Sequence, residues 1–442
     1  MTNRRVLTNG AFLATSLMLT SYTAAQTVGT PDGNPQGSAH YTVTDLGTLG
    51  GTFSYALGIN DEGAICGYSS LPGEIEHHPF LWRHGAMVDV GTFGGENALG
   101  GCRPNSQGEV VGSAESTTPD PNGEDVCGLL YGPSDMTCVP FVWRDGVKTA
   151  LPTLGGNNGS PQSINNRGQI PGFAENTTPD ASCPAGRTNY RESPPVIWED
   201  GAVEQLPTVS GDPDGYAIGI NDRGQIAGAS GVCLTSDLTN AGFLHALVWQ
   251  RRGGAGPWTV TDLGNLGGAN NNYAIKMTNQ GQVAGTSGLT GNVYFHAFVW
   301  RKGVMTDLGT LPGDVNSFGF GINEQGELVG ESDDAAGNAS AALWKNGLAI
   351  DLNTVIPAGS PLYLLTAFDN NSRGEIVGLA LELSSGEVHA FLAAPQGDAV
   401  SPPEQASSRI VLPENIRALL GQRLRFGRGG VPLPGLPSPT QP

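Results

Sequence analysis

Positive charge is scarce in this chain. Its 442 residues carry 22 Lys and Arg against 41 Asp and Glu, which gives a formal net charge of −19. Because so acidic a chain repels phosphate backbones and anionic lipid surfaces, we expect no nucleic acid or membrane-surface partner. Charged residues of either sign make up only 14% of the sequence, whereas 66 residues are glycine. Such a composition, without the collagen period, favours many short strands joined by tight turns.

The motifs of common catalytic and metal centres are also missing. The sequence has no Gly-x-Ser-x-Gly in a strand-to-helix setting, no His-Glu-x-x-His, no P-loop and no Cys-x-x-Cys pair for zinc. After the N-terminus no stretch approaches the roughly 18 apolar residues of a membrane-spanning helix. We therefore expect no transmembrane segment and no cofactor, and we favour a binding protein over an enzyme.

The N-terminus has the features of a secretory signal. Arg4 and Arg5 form a basic start, and residues 11–19 form an apolar run too short to span a bilayer. Small residues at 23–25 suit cleavage after Ala25. The sequence thus predicts an exported protein, extracellular or periplasmic, with a signal peptide over 1–25. A linker rich in Thr, Pro, Gly, Asn and Gln follows over 26–40.

Six cysteines fit an oxidising compartment, where disulfides persist. Two of them share one long insertion, two lie in matching insertions of adjacent repeats, and two lie on strands of neighbouring repeats. Among fifteen possible connectivities, this placement favours three bridges: Cys127–Cys138, Cys183–Cys233 and Cys66–Cys102. We expect these bridges to hold loops rather than to supply a catalytic thiol.

One phrase recurs seven times and organises the chain. Clear copies begin at Ile220-Asn221-Asp222-Arg223-Gly224 and at Ile322-Asn323-Glu324-Gln325-Gly326. Asn or Asp followed by Gly is typical of a hairpin turn, since Gly accepts the positive φ that the turn requires. The phrase repeats every 45 to 60 residues. A period near 45 residues is that of a four-stranded propeller blade.

The two ends of the array are offset. Each repeat divides into four predicted strands, but the chain enters at Tyr41 with a fourth strand and leaves at His389–Leu392 with a third. In a closed ring the first strand would complete the last blade, which shields the sheet edges. The sequence therefore predicts an all-β fold: a seven-bladed β-propeller with four-stranded blades over residues 41–394, closed by the N-terminal strand completing the last blade. Residues 395–442 are predicted as a Pro-rich linker with a short Arg-rich helix, partly disordered.

Several side chains repeat at one place in each unit, and we expect them to be structural. Tryptophans end the third strand and should pack between blades, histidines begin that strand, and aspartates near the end of the fourth strand should bond the neighbouring backbone. These residues are Trp82, Trp143, Trp198, Trp249, Trp300 and Trp344; His78, His245, His296 and His389; Asp45, Asp89, Asp262, Asp307 and Asp351.

The phrases resemble those of the HAF family of probable extracellular repeats in bacterial proteins. The likeness rests on His296-Ala297-Phe298 and His389-Ala390-Phe391, together with the Asn-x-x-Gly and Asp-Leu-Gly-Thr-Leu-Gly-Gly phrases, and covers residues 41–394. Copies two, three and six lack the His, and the last copy has Ala393 in place of Trp. The resemblance implies secretion and a repeated β fold, but no activity and no catalytic residues.

The predicted site lies where the repeats differ most. From the closing glycine of the phrase to the Trp is 15 residues in the first repeat, but 31, 26 and 21 in the next three. These long loops should share one face with the polar loops that ring the axis, and loops on a rigid scaffold are where binding residues collect. The predicted ligand-binding residues are Glu96, Asn97, Asn157, Asp212, Asp214, Asn271, Asp314 and Asn316.

This face predicts a secreted, monomeric binding or scaffolding module for a polar ligand, such as a glycan or a cell-surface protein. One alternative is that the polar loop residues only form turns. A second is a propeller enzyme that acts on a glycan through two of Glu96, Asp212, Asp214 and Asp314, and a third is a purely structural envelope protein. Calcium is a minor possibility near Asp212-Pro213-Asp214, although the dense acidic run of a calcium loop is missing.

Overall fold

The computed structural model describes residues 41–99, 101–124, 126–127, 134–184, 190–233, 242–254, 256–396 and 409–423. The predicted signal peptide and the linker over 26–40 lie outside the described residues, as does most of the C-terminal tail.

Strands follow one another along the described chain in runs of four. Their bounds are β1 (Tyr41–Asp45), β2 (Ser54–Ile59), β3 (Ile65–Ser70), β4 (His77–Arg83), β5 (Ala86–Asp89), β6 (Gly94–Leu99), β7 (Val110–Pro119), β8 (Met136–Arg144), β9 (Val147–Ala150), β10 (Gly159–Pro161), β11 (Ile170–Ala174), β12 (Pro195–Glu199), β13 (Ala202–Gln205), β14 (Asp214–Ile220), β15 (Ile226–Val232), β16 (Gly242–Arg251), β17 (Trp258–Asp262), β18 (Tyr273–Met277), β19 (Val283–Gly288), β20 (Phe295–Arg301), β21 (Val304–Asp307), β22 (Asn316–Ile322), β23 (Leu328–Asp333), β24 (Ala339–Lys345), β25 (Leu348–Asp351), β26 (Leu362–Asn370), β27 (Ile376–Glu382) and β28 (Val388–Pro395). Short 3₁₀ helices cover Arg252–Gly254 and Leu352–Thr354, and one α-helix, α1, covers Glu414–Arg423.

Each run of four strands is an antiparallel meander. Among the described residues, five sheets have four strands, and a sixth has eight because one parallel pair, His77 with Asn97, joins two meanders. The last sheet takes its outer strand from the other end of the chain. There β1 pairs with β28, from Tyr41 opposite Pro395 to Asp45 opposite Phe391.

The Asn of the repeated phrase builds the turn between the first and second strands and also reaches the next unit. Asn221 Oδ1 accepts the N–H groups of Arg223 and Gln225, each at 3.0 Å, while its Nδ2 donates to the carbonyl of Thr278 at 3.0 Å. The same Nδ2-to-carbonyl bond joins Asn60 to Asn105, Asn105 to Asn165, Asn165 to Asn221, Asn323 to Asn371, and Asn371 to Asn60. Where Thr278 replaces Asn, the N–H of Asn279 donates to Glu324 at 2.7 Å instead. Hydrogen bonds therefore link each of these turns to the next, and the last to the first.

Tryptophan fills the space between successive units. Trp198 and Trp249 are almost fully buried, and their Nε1 groups donate at 2.6 Å to the carbonyls of Pro152 and Pro207, just before the unit's own first strand. Val142 of the preceding unit packs in the same cluster as Trp198. For this tryptophan the predicted packing between units is confirmed. The first strands of neighbouring units come close together: an added Cβ at Gly58 would lie 2.1 Å from the Cys102 carbonyl oxygen.

All three predicted disulfides are confirmed: Cys66–Cys102, Cys127–Cys138 and Cys183–Cys233. The repeated aspartates also bond the backbone as predicted. Asp45 accepts the N–H of Gly47 and Asp307 that of Gly309, both at 2.8 Å.

The repeated histidines pair with these aspartates across the third and fourth strands. Nδ1 of His296 lies 2.8 Å from Asp307, that of His78 lies 2.9 Å from Asp89, and that of His389 lies 2.8 Å from Asp45. His245 departs from the pattern, because its Nδ1 lies 2.8 Å from Asp212. The histidines thus have structural partners.

The C-terminal arm, residues 409–423, packs on the sheets. Arg409 pairs with Asp314 through both guanidinium amines and also donates to the Asn338 carbonyl at 2.6 Å. Leu412, just before the helix, and Ile416, within it, are buried. The short Arg-rich helix predicted for this tail is α1, which the structure describes from Glu414 to Arg423. No helix among the described residues is long and apolar enough to cross a membrane.

Candidate functional site

The sheets present two distinct ends. At the turn end lie the connections from first to second strand, such as residues 60–64. At the loop end lie the connections from second to third strand and from each fourth strand to the next unit. The predicted binding residues belong to the loop end, as expected from the strand order.

Seven of the eight predicted binding residues are buried or half-buried, and Glu96 is exposed. Asp212 accepts Ser230 Oγ at 2.5 Å, and Asp214 accepts the N–H of Ser193 at 2.7 Å. Asn316 Nδ2 donates to Asp333 at 2.9 Å. These hydrogen bonds fix the loops in which the side chains lie. At the minor calcium candidate, Asp212-Pro213-Asp214, each of the two carboxylates accepts one of these bonds.

Other predicted residues have different surroundings. Asn271 is buried in a left-handed conformation with φ 58°, and its Oδ1 accepts no hydrogen bond within the described part of the chain. Asp314 has a fully buried carboxylate, which is held by Arg409 of the C-terminal arm. The arm thus covers part of the predicted binding face.

Two buried glutamates accept main-chain hydrogen bonds from the ring loops, which are the connections from each fourth strand to the next unit. Glu115 Oε2 accepts the N–H groups of Glu96 and Asn97, both at 3.0 Å. Glu175 does the same for Asn157 and Asn158, at 2.9 and 3.0 Å. Sequence reasoning missed both glutamates.

The signal that could have found them is a duplicated phrase. Ala114-Glu115-Ser116-Thr117-Thr118-Pro119-Asp120 returns as Ala174-Glu175-Asn176-Thr177-Thr178-Pro179-Asp180. In both copies the Glu and the Asp are buried, and the Thr-Thr-Pro tripeptide is exposed. The two long insertions therefore begin with nearly the same sequence and the same pattern of buried and exposed residues.

The described residues within 115–138, 175–194 and 231–243 form what we call the loop platform. Cys127–Cys138 closes the first insertion, and Cys183–Cys233 joins the second to the third. The first and second are joined where Arg191 N–H donates to Glu124 at 2.5 Å. The three insertions are therefore braced into one surface.

A buried amide and two buried carboxylates lie beneath this surface. Asn158 Nδ2 donates to Asp120 at 2.5 Å and to Glu175 at 2.7 Å, and its Oδ1 accepts the N–H of Cys138 at 2.8 Å. Burial, with the charge of Glu175 added, raises the pKa of Glu124 to about 8 against the opposing hydrogen bond from Arg191. Burial also raises the pKa of Glu175 despite its hydrogen bonds from Asn158 and Asn157. Both groups are enclosed by protein rather than open to a cleft.

One possible metal group occurs among the described residues. It consists of Asp180, Cys183 and Cys233, whose ligand atoms lie within 4.8 Å of one another. The two sulfurs are joined in a disulfide and supply no thiolate, which is the form of cysteine that binds a metal. We therefore assign this group a structural role.

A funnel opens to solvent at the turn end. Its lining includes turn residues of successive units and two cations, Arg103 and Lys276. These cations occupy one repeat position, two residues before the turn residue, where other units have Gly58, Ser163, Gly219, Gly321 and Asp369. The funnel was not predicted, although an alignment of the repeats shows the exceptional charges.

Three charged side chains from different units meet at the inner end of the funnel. Lys276 pairs with Asp369, and Arg103 Nε lies 3.4 Å from the same carboxylate. Lys276 also donates to the Asn370 carbonyl at 2.9 Å, and Asp369 accepts the N–H of Ile59 at 3.1 Å. Burial and the charge of Arg103 lower the pKa of Lys276 to about 8, although Asp369 opposes the shift. One positive charge is left over in this group when all three side chains are ionised.

No family model and no curated protein matches the chain. Solved structures are similar to it at low identity. A puromycin hydrolase mutant complexed with PGG matches with a TM-score of 0.50 and 14% identity over 81% of this chain, which spans 55% of that protein. The β-propeller domain of the Trilobed protease from Pyrococcus furiosus matches with a TM-score of 0.43 and 13% identity, covering 68% of this chain and 81% of that domain. A six-bladed β-propeller, the fucose-recognising Aleuria aurantia lectin, matches with a TM-score of 0.35 and 11% identity, covering 80% and 99%.

Successive four-stranded antiparallel meanders, packed unit on unit, are the architecture of a β-propeller. The described chain is therefore an all-β propeller scaffold. At the identities found, the similar structures carry no information about what this chain binds.

Proposed function

We propose that this chain is an exported, closed seven-bladed β-propeller of the HAF type that serves as a monomeric binding module. Three features of the described residues support the closed ring: their twenty-eight strands in runs of four, the pairing of β1 with β28, and the turn bonds from Asn60 round to Asn371 and back to Asn60. Three disulfides and the signal-like N-terminus support export.

The observation that carries the binding role is the bracing of the loop platform. Loops that are already ordered lose little conformational entropy when a partner binds, so a braced surface favours recognition. The exposed Thr117-Thr118-Pro119 and Thr177-Thr178-Pro179 segments supply hydroxyl and methyl groups at its surface. We propose that a polar partner, a glycan or a glycan-bearing cell-surface protein, binds there and extends toward Glu96.

In this proposal the other predicted binding residues support the ring loops beneath the ligand. They are Asn97, Asn157, Asp212, Asp214, Asn271, Asp314 and Asn316. Except for Asn271, these residues form hydrogen bonds that hold the surface in shape, and Glu96 is the exposed member of the predicted set.

A glycan array probed with residues 26–442 tests the proposal. We expect a specific signal that disappears when Thr117, Thr118, Thr177 and Thr178 are all changed to Ala. The matched control carries Thr149→Ala and Thr261→Ala, two exposed threonines on fourth strands, and should bind as the wild type does. A well-folded wild type that binds no glycan, or a quadruple variant that binds undiminished, would refute the proposal. Assaying the bound glycans for released sugar tests the alternative of a glycan-acting enzyme.

A further inference from the structure

The funnel at the turn end contains hydrogen-bond donors that the protein does not use. Within the described chain, the Arg103 side chain forms an ion pair with Asp369, 3.4 Å from Nε, and its two terminal amines donate no hydrogen bond. About a third of the Arg103 side chain is exposed, and the side chain lines the funnel. Two of the three N–H groups of the Lys276 ammonium donate, one to Asp369 and one to the Asn370 carbonyl. A guanidinium with both terminal amines available suits a carboxylate, which it binds through two parallel hydrogen bonds.

The charge changes sign along the depth of the funnel. Arg103 and Lys276 lie two residues before the turn residue, whereas Asp61, Asp222 and Glu324 follow it by one. The strands end just before the turn residue, so the acidic residues lie in the turns beyond the strand ends. The inner level therefore carries the excess positive charge, and the outer level is acidic.

The outer carboxylates are fixed in position by the neighbouring turns. Asp222 accepts the N–H of Asn166 at 3.0 Å, and Glu324 accepts that of Asn279 at 2.7 Å. Because each carboxylate has a second oxygen and further lone pairs, it can also accept a bond from a ligand. The acidic rim would repel a dianion such as phosphate but would attract an ammonium group.

We propose that this funnel binds a small dipolar molecule of the free amino acid class, with its carboxylate on Arg103 and its ammonium group toward the acidic rim. The site lies at the opposite end of the sheets from the loop platform and does not depend on it. The funnel opens to solvent, so a molecule of this size can reach the exposed part of Arg103.

Calorimetric titration of the full mature chain with each of the twenty common amino acids tests the proposal. We expect at least one to bind. Its amide, which lacks the carboxylate, and its N-acetyl form, which lacks the ammonium group, should each bind about tenfold more weakly or worse. If no amino acid binds to the folded wild type, the proposal is wrong.

Two variants locate the ligand. Arg103→Gln should weaken binding by about tenfold or more, whereas Arg301→Gln, at an exposed arginine outside the funnel, should leave it unchanged. Arg103→Lys keeps the charge beside Asp369 but loses the two-pronged contact. It should also weaken binding, and it serves if the Gln variant does not fold. Undiminished binding by these Arg103 variants would overturn the assignment while leaving glycan binding at the loop platform unaffected.

Discussion

Asn371 donates its side-chain amide at 3.0 Å to the main-chain carbonyl of Asn60, 311 residues earlier in the sequence. Five other turn-to-turn bonds repeat this contact between consecutive units. The bond from Asn371 differs in that it joins the last unit to the first. It acts beside the β1–β28 pairing, so two independent contacts hold the ends of the array together.

Replacing Asn371 by Asp should destabilise the protein by about 1–3 kcal/mol. The carboxylate can still accept the N–H groups of Arg373 and Glu375, but it cannot donate to Asn60, and it adds a charge beside Glu375. Urea unfolding measures the change. The control Asn346→Asp, at an exposed turn, should stay within about 0.5 kcal/mol of the wild type. Equal stability of the two variants would count against the closing bond.

The His389–Asp45 pair should make stability depend on pH. The hydrogen bond to Asp45 raises the pKa of His389 above its ordinary 6.5, despite opposing burial. A raised folded-state pKa contributes stability that is complete below pH 6.5 and is lost as the pH rises through the folded value. Because the pair bridges β28 and β1, the melting temperature should fall across that window.

Nuclear magnetic resonance titration of His389 checks this prediction. Asp45→Asn should return its pKa toward the ordinary value, whereas Asp307→Asn, which removes the partner of His296, should leave His389 unchanged. A His389 that titrates at its ordinary value in the wild type would contradict the proposed linkage.

Removing Arg409 should release the C-terminal arm. The buried Asp314 carboxylate would then lose its cation, and leaving one partner of a buried pair uncompensated costs about 3 kcal/mol. We expect faster hydrogen exchange at the Leu412 amide, which donates to Asn338 Oδ1 at 2.9 Å. Arg417→Ala, which loses a 3.4 Å contact, serves as the control. The double variant Arg409→Ala, Asp314→Ala should be more stable than Arg409→Ala alone, and equal stabilities would show that the pair does not hold the arm.

The loop platform should loosen as the pH rises from 4.5 to about 8. Burial raises the pKa of Glu124 to about 8. Its contribution to stability is therefore complete below pH 4.5, the ordinary value, and is lost as the pH rises through about 8. Glu124→Gln mimics the protonated form and should remove this dependence. Hydrogen exchange at the Arg191 amide, which donates to Glu124, measures it, and an identical pH profile in the variant would refute the assignment.

Features that depend on a residue's position within the repeat could be predicted from the sequence. The disulfide pairs were predictable from position in the repeat: Cys127 and Cys138 share one insertion, and Cys183 and Cys233 lie in matching insertions. Cys66 lies on β3, whereas Cys102, predicted on a strand of the next repeat, follows the end of β6. The backbone bonds of Asp45 and Asp307 follow from a phrase repeated along the chain. Such features are local to one unit or to its neighbour, so position in the repeat determines their partners.

The funnel could not be predicted in the same way. Arg103, Lys276 and Asp369 come from three non-adjacent units and meet because the first strands converge. No pattern within a single repeat of the sequence indicates that these three side chains meet. The arm was predicted to form a helix, but its contact with Asp314 depends on where a tail some 95 residues further along the chain returns to the sheets.

The pairing of β1 with β28 also bears on the order in which the protein can be assembled. During synthesis Tyr41 emerges long before Pro395, its partner in the register. The last sheet therefore has three strands and an open edge until β1 pairs with β28, and β1 stays unpaired until then. The slowest folding event should be this late encounter between distant segments, which makes the nascent chain dependent on protection of its first strand from premature association.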